Sequence, residues 1–418
     1  MTTPRLLTIM GSGETAPTMM KPHRDLIARL PGNPLAVVLD TPYGFQENAP
    51  ELASRAVEYF RQSVGHPIEV AGLTRLHDAD PLIIEQGLDR VRRADYLFAG
   101  PGSPTYALRQ WAGTAVPDIV RGKMRSGGAV TFASAAALTL GRFTVPVYEI
   151  YKVGAEPQWL DGLDVLGEIG LNVAVIPHYD NAEGGHHDTR FCYLGERRLR
   201  MLEEMLPDDA HVIGVDEHTG VVLDLDASTA TVIGNGVLTV RVRGNSTTFA
   251  SGSVISIDEL RDPGRGSTAV VDSPSARVAA PVADTASSSL AADTERAGRA
   301  FDEALAAGRA GDAARAALEL ESAIRDWSAD TLQSTDMDNA HAMLRSMIVR
   351  LGDAAVGGLA DPRDVIGPFI SIILELRAAV RADKRYDLSD LIRDRLAEAE
   401  VEVRDTPQGV EWVLRGAK

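Results

Sequence analysis

Short apolar runs alternate with amphipathic stretches through the first 257 residues of this chain. Residues 6–10, 36–39, 96–99, 129–132 and 173–176 are apolar runs of strand length, broken only by Thr8 and Thr131, the pattern of strands buried on both faces. Between them, residues 51–63, 82–92 and 197–206 carry apolar side chains at helical spacing. Strands divided by helices of this length predict right-handed crossovers, and so an α/β fold with a mostly parallel sheet flanked by helices. After residue 212 the runs shorten to 220–225, 230–233, 237–242 and 247–250, punctuated by Gly234-Asn235-Gly236 and Gly244-Asn245. These predict antiparallel edge strands.

From residue 263 to 293 the chain turns rich in Gly, Ser, Ala, Pro and Thr, a composition that buries no core and predicts a flexible linker. Helical patterns then occupy 299–307, 313–327, 339–351, 364–382 and 387–398, which predicts an α-helical bundle. The last alternating segment, 401–414, folds back around Thr406-Pro407-Gln408-Gly409 and predicts a β-hairpin. The expected organisation is an α/β domain over 1–257, a linker over 258–294 and a helical domain over 295–418.

Composition narrows the classes. A formal net charge of −17 repels phosphate backbones unless a local basic patch intervenes. No run approaches the roughly 18 apolar residues of a membrane span, so no membrane partner is expected and the cytoplasm is the expected compartment. The single Cys192 excludes an internal disulfide framework and a multi-cysteine zinc site.

Candidate chemistry gathers at strand ends. Ser134 follows the apolar run 129–132 and opens Ser134-Ala135-Ala136-Ala137; a serine on a tight strand-to-helix turn is lifted from the sheet beside backbone N–H groups that can hold an oxyanion. His178 follows the run 173–176, at a carboxyl end where α/β sheets carry their sites. A serine needs such a base, and the base needs a carboxylate to fix its tautomer. Glu149 is the first choice for that carboxylate, with Asp180 and Asp188 as alternatives. Oxyanion and substrate contacts are expected from Ala135, from Gly102 and Ser103 in the turn Gly100-Pro101-Gly102-Ser103-Pro104, and from Asp180 and His187. Gly11-Ser12-Gly13-Glu14 after the first strand is neither a Walker loop nor a full dinucleotide fingerprint. The segment from His178 to Asp188 holds three histidines and three carboxylates, but its spacing fits no zinc signature. No metal and no cofactor are expected. Asp216-Glu217-His218-Thr219-Gly220 is a further polar knot at a strand end, either a plain turn or a substrate contact.

The ordered set Phe98-Ala-Gly-Pro-Gly-Ser-Pro-Thr-Tyr106, the Ser134 turn, the Glu149 segment and Ile176-Pro-His178-Tyr-Asp180 resembles the dipeptidase E and cyanophycinase family of serine peptidases, over about residues 5–240. The resemblance implies a class I glutamine-amidotransferase-like fold with flavodoxin-like layers, and aligns Ser134 with the nucleophile, His178 with the base and Glu149 with the acidic partner. It also implies cleavage of small peptides or isopeptides next to acidic residues. The chain departs from the family at its elbow glycines, where Phe132 and Ala136 stand; an impaired, adaptor-like descendant is the alternative function. The tail, with Ser389-Asp-Leu-Ile-Arg393-Asp-Arg-Leu396 and Asp405-Thr-Pro-Gln-Gly409-Val-Glu-Trp412, resembles the C-terminal region of cysteinyl-tRNA synthetases over about residues 295–414. That resemblance implies a helical bundle that helps hold tRNA. Residues 372–418 carry nine Lys and Arg against ten Asp and Glu, so the salt-dependent attraction to tRNA is weak. A scaffold, protein-partner or homodimer contact is the favoured use of the bundle.

Overall fold

The computed structural model describes residues 3–182, 187–263, 289–327, 334–357, 362–406 and 409–415. They fall into two compact units, Met1–Ser289 with Arg325–Thr335, and Leu290–Ile324 with Asp336–Lys418.

The first unit contains strands β1 (Arg5–Met10), β2 (Ala36–Leu39), β3 (Glu69–Val70), β4 (Tyr96–Ala99), β5 (Gly128–Ala133), β6 (Phe143–Thr144), β7 (Leu160–Asp161), β8 (Val173–Ile176), β9 (His211–Val215), β10 (Thr219–Asp224), β11 (Thr229–Gly234), β12 (Val237–Val242), β13 (Asn245–Ala250) and β14 (Val254–Ser256). Its helices are α1 (Met20–Ala28), α2 (Ala49–Tyr59), α3 (Pro81–Arg93), α4 (Pro104–Trp111), α5 (Val116–Ser126), α6 (Ser134–Ala137), α7 (Gly195–Glu204) and α8 (Ile257–Arg261).

The strands form two mixed sheets. An eight-stranded sheet has the order β14-β11-β10-β1-β5-β4-β2-β3, and a six-stranded sheet the order β13-β12-β9-β8-β6-β7. In the first, β1, β5, β4, β2 and β3 run parallel, while β10 closes the free side of β1 in antiparallel register, Leu6 opposite Asp224. That pairing divides what the sequence suggested as one sheet. With β10 on its edge, β1 has no room for β8, which pairs in parallel with β9 and β6 in the second sheet.

Alternation within each buried strand sorts side chains into separate cores. Leu7, Ile9, Val37, Leu39, Leu97, Ala99, Val130 and Phe132 share one cluster with Val173, Val175, Ile213 and Val215 of the second sheet. Leu6, Met10, Ala36, Val38, Tyr96, Phe98, Ala129 and Ala133 pack on the opposite face with helix α1. Ala174, Ile176 and Val212 join Leu199 and Leu202 of α7 in a third. Helix starts are set by short polar caps: Asp80 accepts from Leu82 N before α3, and Ser103 from Tyr106 N before α4, each satisfying an orphan donor of the first turn.

The second unit is a helical bundle of α9 (Leu290–Ala306), α10 (Ala310–Asp326), α11 (Ser334–Gly357), α12 (Pro362–Ala382) and α13 (Tyr386–Glu398), ending in an antiparallel pair of β15 (Val401–Thr406) and β16 (Gly409–Leu414). Ile370, Leu396 and Val401 form one core cluster joining α12, α13 and β15, and the buried Arg377 forks onto both carboxylate oxygens of Asp405 at 2.9 and 3.0 Å. Both ends of the expected linker are helical, in α8 and in α9, which starts at Leu290. The rest of that segment, 264–288, and the turn residues 407–408 lie outside the described residues.

Candidate active site

Strand β5 delivers Ser134 at its carboxyl end, and the chain turns at once into α6. The turn is made by Ser134 itself, whose φ of 48° lies in the left-handed region, a conformation costing a non-glycine residue about 1–2 kcal/mol. No glycine flanks it. Phe132, the bulky residue two positions earlier, points away into the core against Trp111, ring centroids 5.5 Å apart. Ala136, in place of the second glycine, is fully buried and donates its N–H to Gly100 O at 3.3 Å. The elbow is therefore built with side chains that fit behind it.

His178 follows β8, and its Nε2 lies 2.9 Å from Ser134 Oγ. Its Nδ1 lies 2.9 Å from Glu217 Oε1. Because a carboxylate only accepts, Nδ1 carries the proton and Nε2 is left to accept from the serine hydroxyl. Ser134 and His178 are buried and Glu217 is partly buried. Asn181 Nδ2 donates to the same Glu217 oxygen at 3.0 Å, while Asp180 Oδ1 accepts from the Glu217 backbone N–H at 2.7 Å, so side chain and backbone are each held. Burial alone would raise the Glu217 carboxyl. Hydrogen bonds from His178 and Asn181, with the electrostatic pull of the neighbouring His178 and His218 rings, outweigh it and hold the group below the ordinary range.

The carboxylate hydrogen-bonded to His178 is thus Glu217, where Glu149 was expected. Glu149 sits on the turn Glu149–Val153 and accepts from Thr105 Oγ1 at 3.0 Å. The reason is topological: β8 and β9 are parallel neighbours, Ile176 opposite Gly214, so the segments leaving their carboxyl ends lie side by side. The sequence signal for Glu217 was the polar knot after β9, which periodicity could not pair with His178.

Other expected site residues separate. Ala135 is buried at the start of α6, where first-turn N–H groups lack intrahelical partners. Ser103 is turned to architecture: its N–H donates to Pro42 O at 2.9 Å and its Oγ caps α4. Gly102, at φ 140°, abuts the Pro42 carbonyl so closely that a Cβ there would collide with it. Gly11, likewise, lets the first loop pack on the Asp216 backbone, with no room for a Cβ. Asp188 is clamped by Arg190 at 2.8 and 2.9 Å, which holds its carboxyl well below the usual range. His187 is exposed and its ring lies over Tyr151, centroids 6.4 Å apart. Residues 183–186, including two members of the histidine and carboxylate segment, lie outside the described residues. Among the described residues no three His, Cys, Asp or Glu side chains are grouped to hold a metal ion.

A run of left-handed residues braces the His178 backbone. Phe191, Cys192 and Tyr193 have φ of 61°, 55° and 65°, and their N–H groups donate to Tyr179 O, His178 O and Thr189 O at 2.9, 3.0 and 2.8 Å. His178 itself sits at φ 47°. Cys192 is buried, its thiol pushed up to about 12 by burial and then by the Glu217 charge, so it stays a neutral packing group.

No family model matches the chain. Among solved structures, a peptidase from an acI-B1 Actinobacterium aligns with 60% of this chain and 97% of its own, at TM-score 0.50 and 21% identity. A putative peptidase E protein from Listeria monocytogenes aligns with 59% and 98%, at TM-score 0.35 and 12% identity. The first likeness establishes a shared fold. Among curated proteins, the cysteine–tRNA ligase of Carboxydothermus hydrogenoformans is 45% identical over 47 residues, covering 11% of this chain and 10% of the ligase. That of Thermotoga maritima is 37% identical over 84 residues, covering 19% and 18%. The chain spans between a tenth and a fifth of the length of these curated relatives. It therefore combines a peptidase-like fold with a short segment similar to cysteine–tRNA ligases.

Proposed function

We propose that the first unit is a serine-type hydrolase of small peptides or isopeptides, in which Ser134 is the nucleophile, His178 the base and Glu217 the group that orients it. The observation that supports this most is the unbroken chain of hydrogen bonds Ser134–His178–Glu217, 2.9 Å at each link, at a strained strand-to-helix turn. Ser134 Oγ attacks the scissile carbonyl carbon while its proton passes to His178 Nε2. The imidazolium formed is stabilised by Glu217 through Nδ1–H. The carbonyl oxygen, now negative, is held by the Ala135 N–H and by a backbone N–H of the turn after β4. Collapse of the tetrahedral adduct breaks the C–N bond, and His178 returns its proton to the leaving nitrogen. Water, deprotonated by the same imidazole, then cleaves the acyl-serine ester and restores the hydroxyl. Every proton is accounted for without an added group.

Turnover of a panel of dipeptides and isopeptides tests this reading. Wild-type protein cleaves a subset, and Ser134→Ala lowers kcat on them by about 10³-fold or more. Equal rates for the two would refute the assignment.

A further inference from the structure

Three rings from two separate segments converge beside His178. Tyr193 lies 6.5 Å from the His178 ring, Tyr151 stacks on Tyr193 at 5.1 Å and 29°, and His187 stacks on Tyr151 at 6.4 Å and 16°. Tyr193 packs against the core of the second sheet, whereas Tyr151 is half-buried outside it and His187 is exposed. The rings therefore run from the imidazole outward to solvent. Their positions are specified, since Tyr193 is held by the left-handed run whose N–H groups bond the backbone of His178 and Tyr179. Tyr151 is carried by the turn Glu149–Val153, tied to α4 through Glu149 and Thr105.

The side of the site follows from the chemistry. A general acid must reach the nitrogen it protonates, so the imidazole marks the leaving-group side of the scissile bond. We propose that Tyr151 and Tyr193 form a specificity wall on that side, which receives an aromatic side chain on the residue immediately after the cleaved amide. Aromatic rings pair favourably when offset or edge-on at centroid distances of about 4.5–7 Å, and with Tyr151 stacked on both Tyr193 and His187 the wall offers its ring edges. An acidic side chain would find a worse match here. The guanidinium of Arg190 on the same loop is already engaged by both oxygens of Asp188.

This inference rests on the hydrolase reading, and the experiment separates the two. Peptides that differ only in the residue after the scissile bond (Phe, Leu, Ala or Asp) are compared by kcat/KM, alongside covalent labelling of Ser134. Wild-type protein prefers Phe over Ala by about 10-fold. Tyr151→Ala removes that preference while its rate on the Ala peptide stays within about twofold. Tyr151→Leu, which keeps bulk without the ring, does the same and guards against a folding defect in the alanine variant. A preference for Asp or Leu over Phe, or a uniform loss on all peptides in both variants, overturns the wall and leaves the hydrolase intact. No turnover together with no labelling of Ser134 overturns the hydrolase and the wall with it.

Discussion

Strain at Ser134 makes a measurable prediction. The left-handed φ of 48° penalises any residue with a Cβ, and glycine escapes the penalty. Ser134→Gly should therefore be more stable than Ser134→Ala by about 1 kcal/mol in denaturant titration, although both are inactive. Asp216 supplies a second. It is buried, and burial raises its carboxyl from 3.8 to about 6, against the hydrogen bond from Val237 N and with help from the Asp180 and Glu217 charges. An acid whose folded pKa lies above its unfolded value holds its proton more tightly in the native state. Stability is then highest below pH 4 on this account and falls as pH rises through 4 to 6, with the full penalty present above 6. Asp216→Asn keeps an acceptor for Val237 N and removes the titration. Its melting curve at pH 8 should lie above wild type, by a gap of order 1–3 kcal/mol, and the gap should shrink as pH falls to 4.

At the scale of elements, the strands were legible because continuous burial leaves near-continuous apolar runs, and β1, β2, β4, β5 and β8 each fall on one. Which strands pair was not legible, since nothing in residues 219–224 announces that they will close the edge of β1. The site inherits that asymmetry. Ser134 and His178 follow their own strands and could be read locally, but Glu217 meets His178 only because β8 and β9 are adjacent. Glu149 carries the right chemistry on a turn that reaches Thr105 instead. Exchanging each carboxylate for its amide distinguishes them. Glu217→Gln should lower kcat by about 10²–10⁴-fold, because the amide can present an N–H where the imidazole needs an acceptor. Glu149→Gln should keep kcat within roughly threefold, measured on the same peptide.

Across the whole chain, composition fixed the broad limits and geometry filled them. The chain forms two compact units, the first of which also takes in Arg325–Thr335 from within the helical part, and no helix among the described residues is long and apolar enough to cross a membrane. The buried Arg377–Asp405 pair ties α12 to β15, so two of the basic and acidic residues of the tail are spent on its own fold. With a chain-wide charge of −17, long-range attraction favours cationic over anionic ligands. The function of the chain turns on whether the hydroxyl of Ser134 is activated. Incubation with a fluorophosphonate, followed by peptide mapping, measures this most directly. Activation by His178 and Glu217 should give one adduct, on Ser134, formed at least about 10²-fold more slowly in Glu217→Gln. A folded protein that takes up no label at Ser134, or takes it up equally fast without the Glu217 carboxylate, would contradict it.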